Sequence, residues 1–280
     1  MKYSISNWIY GTEPIEKTVQ RLAKFKYDGI ELKGEPLEYD VKKIMDLLSS
    51  YNLVVGSICG MWPWDASDHM KTRDLANPNE KVRERGILYA ESALEFGNKL
   101  GAQTFICVIG GCGKTSQIHQ KEWQFGVESV KKIGKKALDT GVTIAIEPIN
   151  RYELYLMNNV HQGLKFVEEV NSEGVKLMLD AFHMNIEEPD PAAAIRLAGN
   201  KLVHLHIADS NRQSVGRGHT DFKGIIRALK EINFKGYLAM EPLPPTSADV
   251  YNLSQLDPTV LDLYAEECIT QLKYFEKVGD

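Results

Sequence analysis

Eight short apolar runs recur along this chain of 280 residues, at positions 3–8, 29–32, 53–58, 104–109, 142–147, 175–180, 202–207 and 237–241. Each has the length of a strand rather than of a helix. Between them the apolar side chains return at the three-and-four spacing of an amphipathic helix. Ile15, Val19, Leu22 and Phe25 follow it, as do Val41, Ile44, Leu48 and Tyr51. Tyr89, Ala93, Phe96 and Leu100 make a third stripe, and Phe222, Ile225, Leu229 and Ile232 a fourth. Gly29, Gly101, Gly141, Gly174 and Gly236 stand where helices should close before the next strand. Eight strand–helix units predict an α/β fold, a (β/α)8 TIM barrel forming a single domain over residues 1–280. An open doubly wound sheet is the alternative. No Pro/Ser-rich linker or low-complexity segment divides the chain.

Composition narrows the partners. With 43% apolar and 25% charged residues the chain is ordinary globular material, not a disordered or fibrous one. A net charge of −5 argues against a nucleic-acid partner, which needs a basic face. The basic cluster at 131–136 reads as a solvated helix face. No run approaches ~18 apolar residues, so no membrane span is expected. The opening MKYSISNWIYGTEP lacks the apolar core of a signal peptide. Cys59, Cys107, Cys112 and Cys268 are irregularly spaced with no CxxC pair, which suits a reducing, cytoplasmic setting. Cys107, inside an apolar run, is expected to be a buried small hydrophobe. The long connection 59–80 carries Trp62 and Trp64 and is placed to cover the barrel mouth.

Reactive groups of such barrels sit at the C-terminal ends of strands. Four strand ends here carry metal-type ligands: TIAIE ends in Glu147, VKLMLD in Asp180, LVHLHI carries His204 and His206, and YLAME ends in Glu241. Side chains alternate faces with period two, so the apolar set faces the helices and the polar set the barrel axis. Glu147, Asp180, His206 and Glu241 should converge at one level. Any one acidic strand end alone would read as a salt bridge or a helix cap. Three crowded carboxylates raise one another's pKa, and a divalent cation removes that conflict. Oxygen ligands with one imidazole suit Mn²⁺, Mg²⁺ or Co²⁺ better than structural Zn²⁺. His206, nearer the strand end, is taken as the ligand; His204, one layer lower, as a hydrogen-bonded core histidine. VIGGCGKT at 108–115 imitates a phosphate loop, but the pattern GxxxxGK followed by Ser or Thr needs glycine where Val108 stands. It reads as the turn after the fourth strand.

EPINRYE (147–153), KLMLDAFHMNIEE (176–188), HLHIADSNR (204–212), GRGHTDF (216–222) and AMEP (239–242) together resemble the ketose 3-epimerases of the xylose-isomerase-like TIM-barrel superfamily. The likeness covers most of the chain and is strongest over 142–242; DLANPNEKVRERG (74–86) shares it. It implies the same four metal ligands, with Glu147 and Glu241 as the acid–base pair. It implies substrate-holding roles for Glu153, His183 and Arg212 near C1 to C3 of the sugar. The far end, C4 to C6, is poorly matched and would draw on Trp8, Trp62, Trp64 and the 110–113 turn.

The implied enzyme is an isomerase of carbohydrate metabolism with one divalent ion, Mn²⁺ foremost and Mg²⁺ or Co²⁺ as alternatives. Its substrate is a small-molecule ketose, inverted at C3 through a cis-enediolate, and the likeness also implies a homodimer or homotetramer. Two opposed carboxylates are needed because a single base returns its proton to the same face. An aldose–ketose isomerase or an inosose-type dehydratase could use the same barrel and metal. An endonuclease IV-like repair enzyme would need more histidines than the seven present and a less acidic chain.

Overall fold

The computed structural model describes residues 1–61, 73–111, 120–245, 253 and 256–278. Trp62, Trp64, Cys112 and Gly113 lie outside the described residues. Eight parallel strands form a closed barrel: β1 (Lys2–Ser6), β2 (Gly29–Lys33), β3 (Val54–Cys59), β4 (Thr104–Val108), β5 (Thr143–Glu147), β6 (Val175–Asp180), β7 (Leu202–Ile207) and β8 (Tyr237–Met240). β8 pairs back onto β1, which settles the choice between barrel and open sheet. All eight apolar runs became strands, within a residue or two at each end. The first run overshoots, because its Trp8 lies in a short 3-10 turn, Asn7–Tyr10.

Helices α1 (Ile15–Lys24), α2 (Val41–Ser50), α3 (Glu80–Leu100), α4 (Gln120–Thr140) and α5 (Val160–Val170) follow β1 to β5 in turn. Two short helices, α6 (Ala181–Glu187) and α7 (Pro191–Ala198), follow β6; α8 (Phe222–Glu231) follows β7 and α9 (Pro258–Val278) follows β8. The expected stripes face inward, with Val19 and Leu22, Ile44 and Leu48, Phe96 and Leu100, and Ile225 and Leu229 all buried; Tyr51, just past the end of α2, is exposed instead.

Period-two alternation sorts the strands into two layers. Ile144, Ile146, Leu177, Leu179, Leu205, Ile207, Leu238 and Met240 join the large core under the helices. Ile106, Ala145 and Met178 form a separate small cluster inside the barrel, one layer below Glu147 and Asp180. Val203 departs from the alternation and packs, half-buried, against this inner trio, where the β6–β7 register shifts between Leu177 and Met178. Much of the rest of the inner lining is polar: Ser4, Ser6, Glu31, Ser57 and His204 are buried there, alongside Ala239 and Val108.

The glycines divide into two kinds. Gly101 and Gly141 take left-handed φ of 72° just past α3 and α4, as cap glycines do. Elsewhere other residues serve: Lys26, Asn52, Asn171 and Asn233 have φ between 50° and 61° after α1, α2, α5 and α8. Gly29, Gly174 and Gly236 are instead sites of close backbone approach. A Cβ on Gly236 would lie 1.9 Å from the Val203 carbonyl oxygen. Gly236→Ala should therefore cost on the order of 1–3 kcal/mol, by pushing β8 off β7. Urea unfolding of the variant checks this; an unchanged midpoint would show that the approach is not tight.

Candidate active site

Strand register brings the polar groups to one level. Asp180 pairs with His206 across β6–β7, and Val108 with Glu147 across β4–β5. Glu241 stands just past β8, its N–H donating to the Ile207 carbonyl at 2.9 Å, so the ladder continues through it. Ligand atoms of Glu147, Asp180 and His206 lie within 4.8 Å of one another, all buried. His206 Nδ1 is 3.7 Å from Glu147 Oε1 and 3.2 Å from Glu241 Oε2. The four residues expected at the strand ends thus meet around one point; Glu147, His206 and Glu241 line a cavity of about 360 Å³ including its open mouth, and Asp180 is buried beside them.

Arg212 reaches the same point from the loop after β7. Its Nη1 donates to Asp180 Oδ2 at 2.7 Å and its Nη2 to Glu241 Oε2 at 2.8 Å. The loop is drawn tight by Asp209, whose carboxylate accepts from the N–H groups of Ser210, Gly216 and Thr220. Arg212 itself takes a left-handed φ of 63° and hydrogen-bonds through its backbone to Asp209 and Leu243. It is 3% exposed, so its ion pairs with Asp180 and Glu241 form an interior clamp on the site.

Asp180 also caps α6 by accepting from Phe182 N–H at 2.8 Å. The first turn of α6 then delivers His183, whose Nε2 is 3.5 Å from Asp180 Oδ2 and 3.9 Å from Glu147 Oε1. Asn150 settles the His183 tautomer. Tyr152 N–H donates to Asn150 Oδ1, which turns Asn150 Nδ2 toward His183 Nδ1 at 2.8 Å. Nδ1 accepts, so Nε2 carries the proton and presents it to the site. Asn150 Nδ2 also lies 2.8 Å from Glu153 Oε1, tying half-buried Glu153 to the ring through one amide. Trp8 is buried on the cavity wall and donates its indole N–H to Glu241 Oε1 at 2.5 Å.

Besides Asn150, two further residues outside the expected set belong here. Glu31, the inward side chain of β2, accepts from Ser57 Oγ at 2.6 Å and faces His204 Nε2 at 2.9 Å and His206 Nε2 at 3.1 Å. It was masked in the sequence by the apolar run around it, although the alternation in GIELK marks it as inward. Cys59 lines the cavity from the end of β3. His204 is fully buried one layer down, as expected, but neither ring nitrogen has an aligned hydrogen bond; its Nε2 stands 2.9 Å from Glu31 Oε2.

The electrostatics ask for a cation. Burial, reinforced by Asp180 and Glu241 and opposed by His206, pushes Glu147 up to about 8. Burial also works against ionised Asp180, but the Arg212 guanidinium, then His183 and His206, hold it down at about 2. Burial lowers His183, keeping it neutral. Burial disfavours charge on His206, yet Glu241 and Glu31 outweigh it and raise its proton affinity well above the ordinary value. His206 Nδ1, buried and aimed at Glu147 and Glu241, has no aligned hydrogen-bond partner. A ring nitrogen left open among carboxylates, with the opposite nitrogen on a carboxylate, is the donor arrangement of a metal-binding histidine. The residues present fit a divalent ion.

Residues 19–256 match the family described as xylose isomerase-like TIM barrel. A D-psicose 3-epimerase from Ruminiclostridium cellulolyticum is 33% identical over 234 residues, which cover 80% of this chain and 76% of that protein. An L-ribulose 3-epimerase from Methylomonas sp. is 32% identical over 231 residues, 80% of this chain and 77% of that one. The crystal structure of D-psicose 3-epimerase with D-tagatose from Clostridium cellulolyticum H10 matches at a TM-score of 0.86 and 26% identity, over 99% of both chains. The chain belongs to the xylose isomerase-like TIM-barrel family and, within it, to the ketose 3-epimerases.

Metal uptake should release protons. Folded Glu147 keeps its proton up to about 8, whereas the unfolded chain gives it up near 4.5. The metal-free fold therefore binds more protons across that window, and the stability from this group falls as pH rises through it. A divalent ion titrated in, Mn²⁺ as the probe, would have to displace the proton, so its apparent Kd should tighten from about pH 6 to about 8, by about tenfold per pH unit for each proton released. Calorimetric titration in buffers of differing ionisation enthalpy reads this directly. A pH-independent Kd would contradict the assignment.

Proposed function

We propose that this chain is a metal-dependent sugar epimerase that inverts ketoses at C3 through a cis-enediolate, with Glu147 and Glu241 as the acid–base pair. One observation carries the reading: two carboxylates, one ending β5 and one just past β8, approach the same open nitrogen of His206. Inversion needs one group to remove a proton from one face and another to return it on the other. Glu147, Asp180, His206 and Glu241 would hold the ion, for which Mn²⁺ is the first choice and Mg²⁺ or Co²⁺ the alternatives. When bound, a divalent ion supplies Lewis-acid polarisation of the substrate carbonyl.

The chain's own groups do the rest. Trp8 N–H occupies Glu241 Oε1 and so orients the carboxylate, leaving Oε2 toward Arg212 and His206. His183, neutral and protonated on Nε2, donates to negative charge developing on sugar oxygens. Arg212 stays cationic and clamps Asp180 and Glu241 in register. Glu153, linked to His183 through Asn150, holds a sugar hydroxyl. Trp8 also supplies an aromatic wall for the sugar. Trp62 keeps the same assignment on sequence grounds, outside the described residues.

No described helix is long and apolar enough to cross a membrane. Cys59, Cys107 and Cys268 are free and buried, which supports a reducing, cytoplasmic site of action. The reading extends to a homodimer or homotetramer, which sedimentation of the purified protein would register.

Glu147→Gln should lower kcat by at least about 10²–10⁴-fold on a responsive 2-ketose, with D-psicose, D-tagatose and L-ribulose as the trial set. Turnover in D₂O should place deuterium at C3, read by proton NMR. Exchange at C1 and C2 would indicate an aldose–ketose isomerase, and a product lacking one water would indicate a dehydratase. Full activity of the Gln variant would remove Glu147 from the chemistry.

A further inference from the structure

One buried carboxylate takes no part in the proposed reaction. Glu31 lies in the middle of β2 with no exposed surface. A charge in such a place persists only when donors converge on it. Two side chains do so with hydrogen bonds, Ser57 of β3 and His206 of β7, and His204 of β7 stands close beside them without an aligned one. Its Oε2 takes the Ser57 hydroxyl at 2.6 Å and meets His204 Nε2 at 2.9 Å. Its Oε1 is 3.1 Å from His206 Nε2, and the rings of His204 and His206 cross edge to face at 5.2 Å between centroids. Anchored from two strands, the carboxylate has little freedom to turn away from His206.

We propose that Glu31 is the positioning residue of the metal site. By accepting from His206 Nε2 it orients the ring and fixes its tautomer, so that the Nδ1 lone pair faces Glu147, Asp180 and Glu241. Ser57 and His204 act one step further back, by holding the Glu31 oxygens in place. The inference deepens the function proposed above and rests on His206 being a metal ligand. Its chemical logic is general: an imidazole can offer only one nitrogen to a cation, and the partner of the other nitrogen decides which.

The test compares metal-stripped wild type with Glu31→Gln, which keeps the side-chain volume and removes the charge. Mn²⁺ titration followed by EPR should give one equivalent per wild-type chain and about 10–100-fold weaker binding in the variant. The metal-free melting temperature reports separately on folding. In ¹⁵N-histidine-labelled protein loaded with diamagnetic Mg²⁺, the wild type should show a His206 proton on Nε2, shifted downfield by its carboxylate partner. In the variant that resonance should move upfield. Mn²⁺ affinity within twofold of wild type in a folded variant would overturn the proposal. So would a second Mn²⁺ equivalent lost with Glu31, or a His206 proton on Nδ1 in the Mg²⁺-loaded wild type. The last measurement stands even if the variant does not fold. Failure of wild type to take up any Mn²⁺ would instead bring down the metal-centre reading itself, and the Glu31 assignment with it.

Discussion

Like charges held together inside a closed barrel set the terms for everything around them. Glu147, Asp180 and Glu241 are all buried at one level of the mouth, with Glu31 just behind them. Arg212 answers two of these carboxylates by laying its guanidinium across Asp180 and Glu241. What remains is held by protons, as the raised affinities of Glu147 and His206 record. Protons are a weak answer near neutral pH, and a divalent ion is a stronger one. The same imbalance is what a cation at this point would relieve.

The surrounding structure spends several local devices on keeping these groups in register. Asp180 ends β6 and caps α6 in the same residue, so the strand end and the helix start move as one piece. His183 follows in that first turn, and Asn150, fixed by the Tyr152 backbone, selects its tautomer. Across the barrel, Asp209 gathers backbone N–H groups to stiffen the loop that turns Arg212 inward. Preorganised donors of this kind need not reorient as charge develops, which is where electrostatic catalysis gains most.

Much of this was readable from the residues alone. Buried parallel strands announce themselves as apolar runs, and period two then assigns Glu147, Asp180, His206 and Glu241 to the inner face without a structure. Glu31 obeys the same rule but sits in a run too short and too apolar to draw notice. Its meaning depends on β2 lying across the barrel from β7, which is a tertiary fact. Asn150 acts only through Tyr152 and His183, contacts that no spacing rule anticipates. Glycine misled in part: Gly29, Gly174 and Gly236 mark crowded backbone rather than helix caps, and asparagine or lysine takes the left-handed turn at four other helix ends. Burial of Arg212 likewise follows from its loop folding inward, not from its neighbours in sequence.

The account is decided most directly by diffraction from crystals grown with Mn²⁺, using anomalous scattering at the manganese edge. A single strong peak bonded to oxygens of Glu147, Asp180 and Glu241 and to Nδ1 of His206 is the predicted result. A peak elsewhere, or none at full manganese saturation of the crystal with Asp180 and Glu241 still bridged only by Arg212, would contradict it.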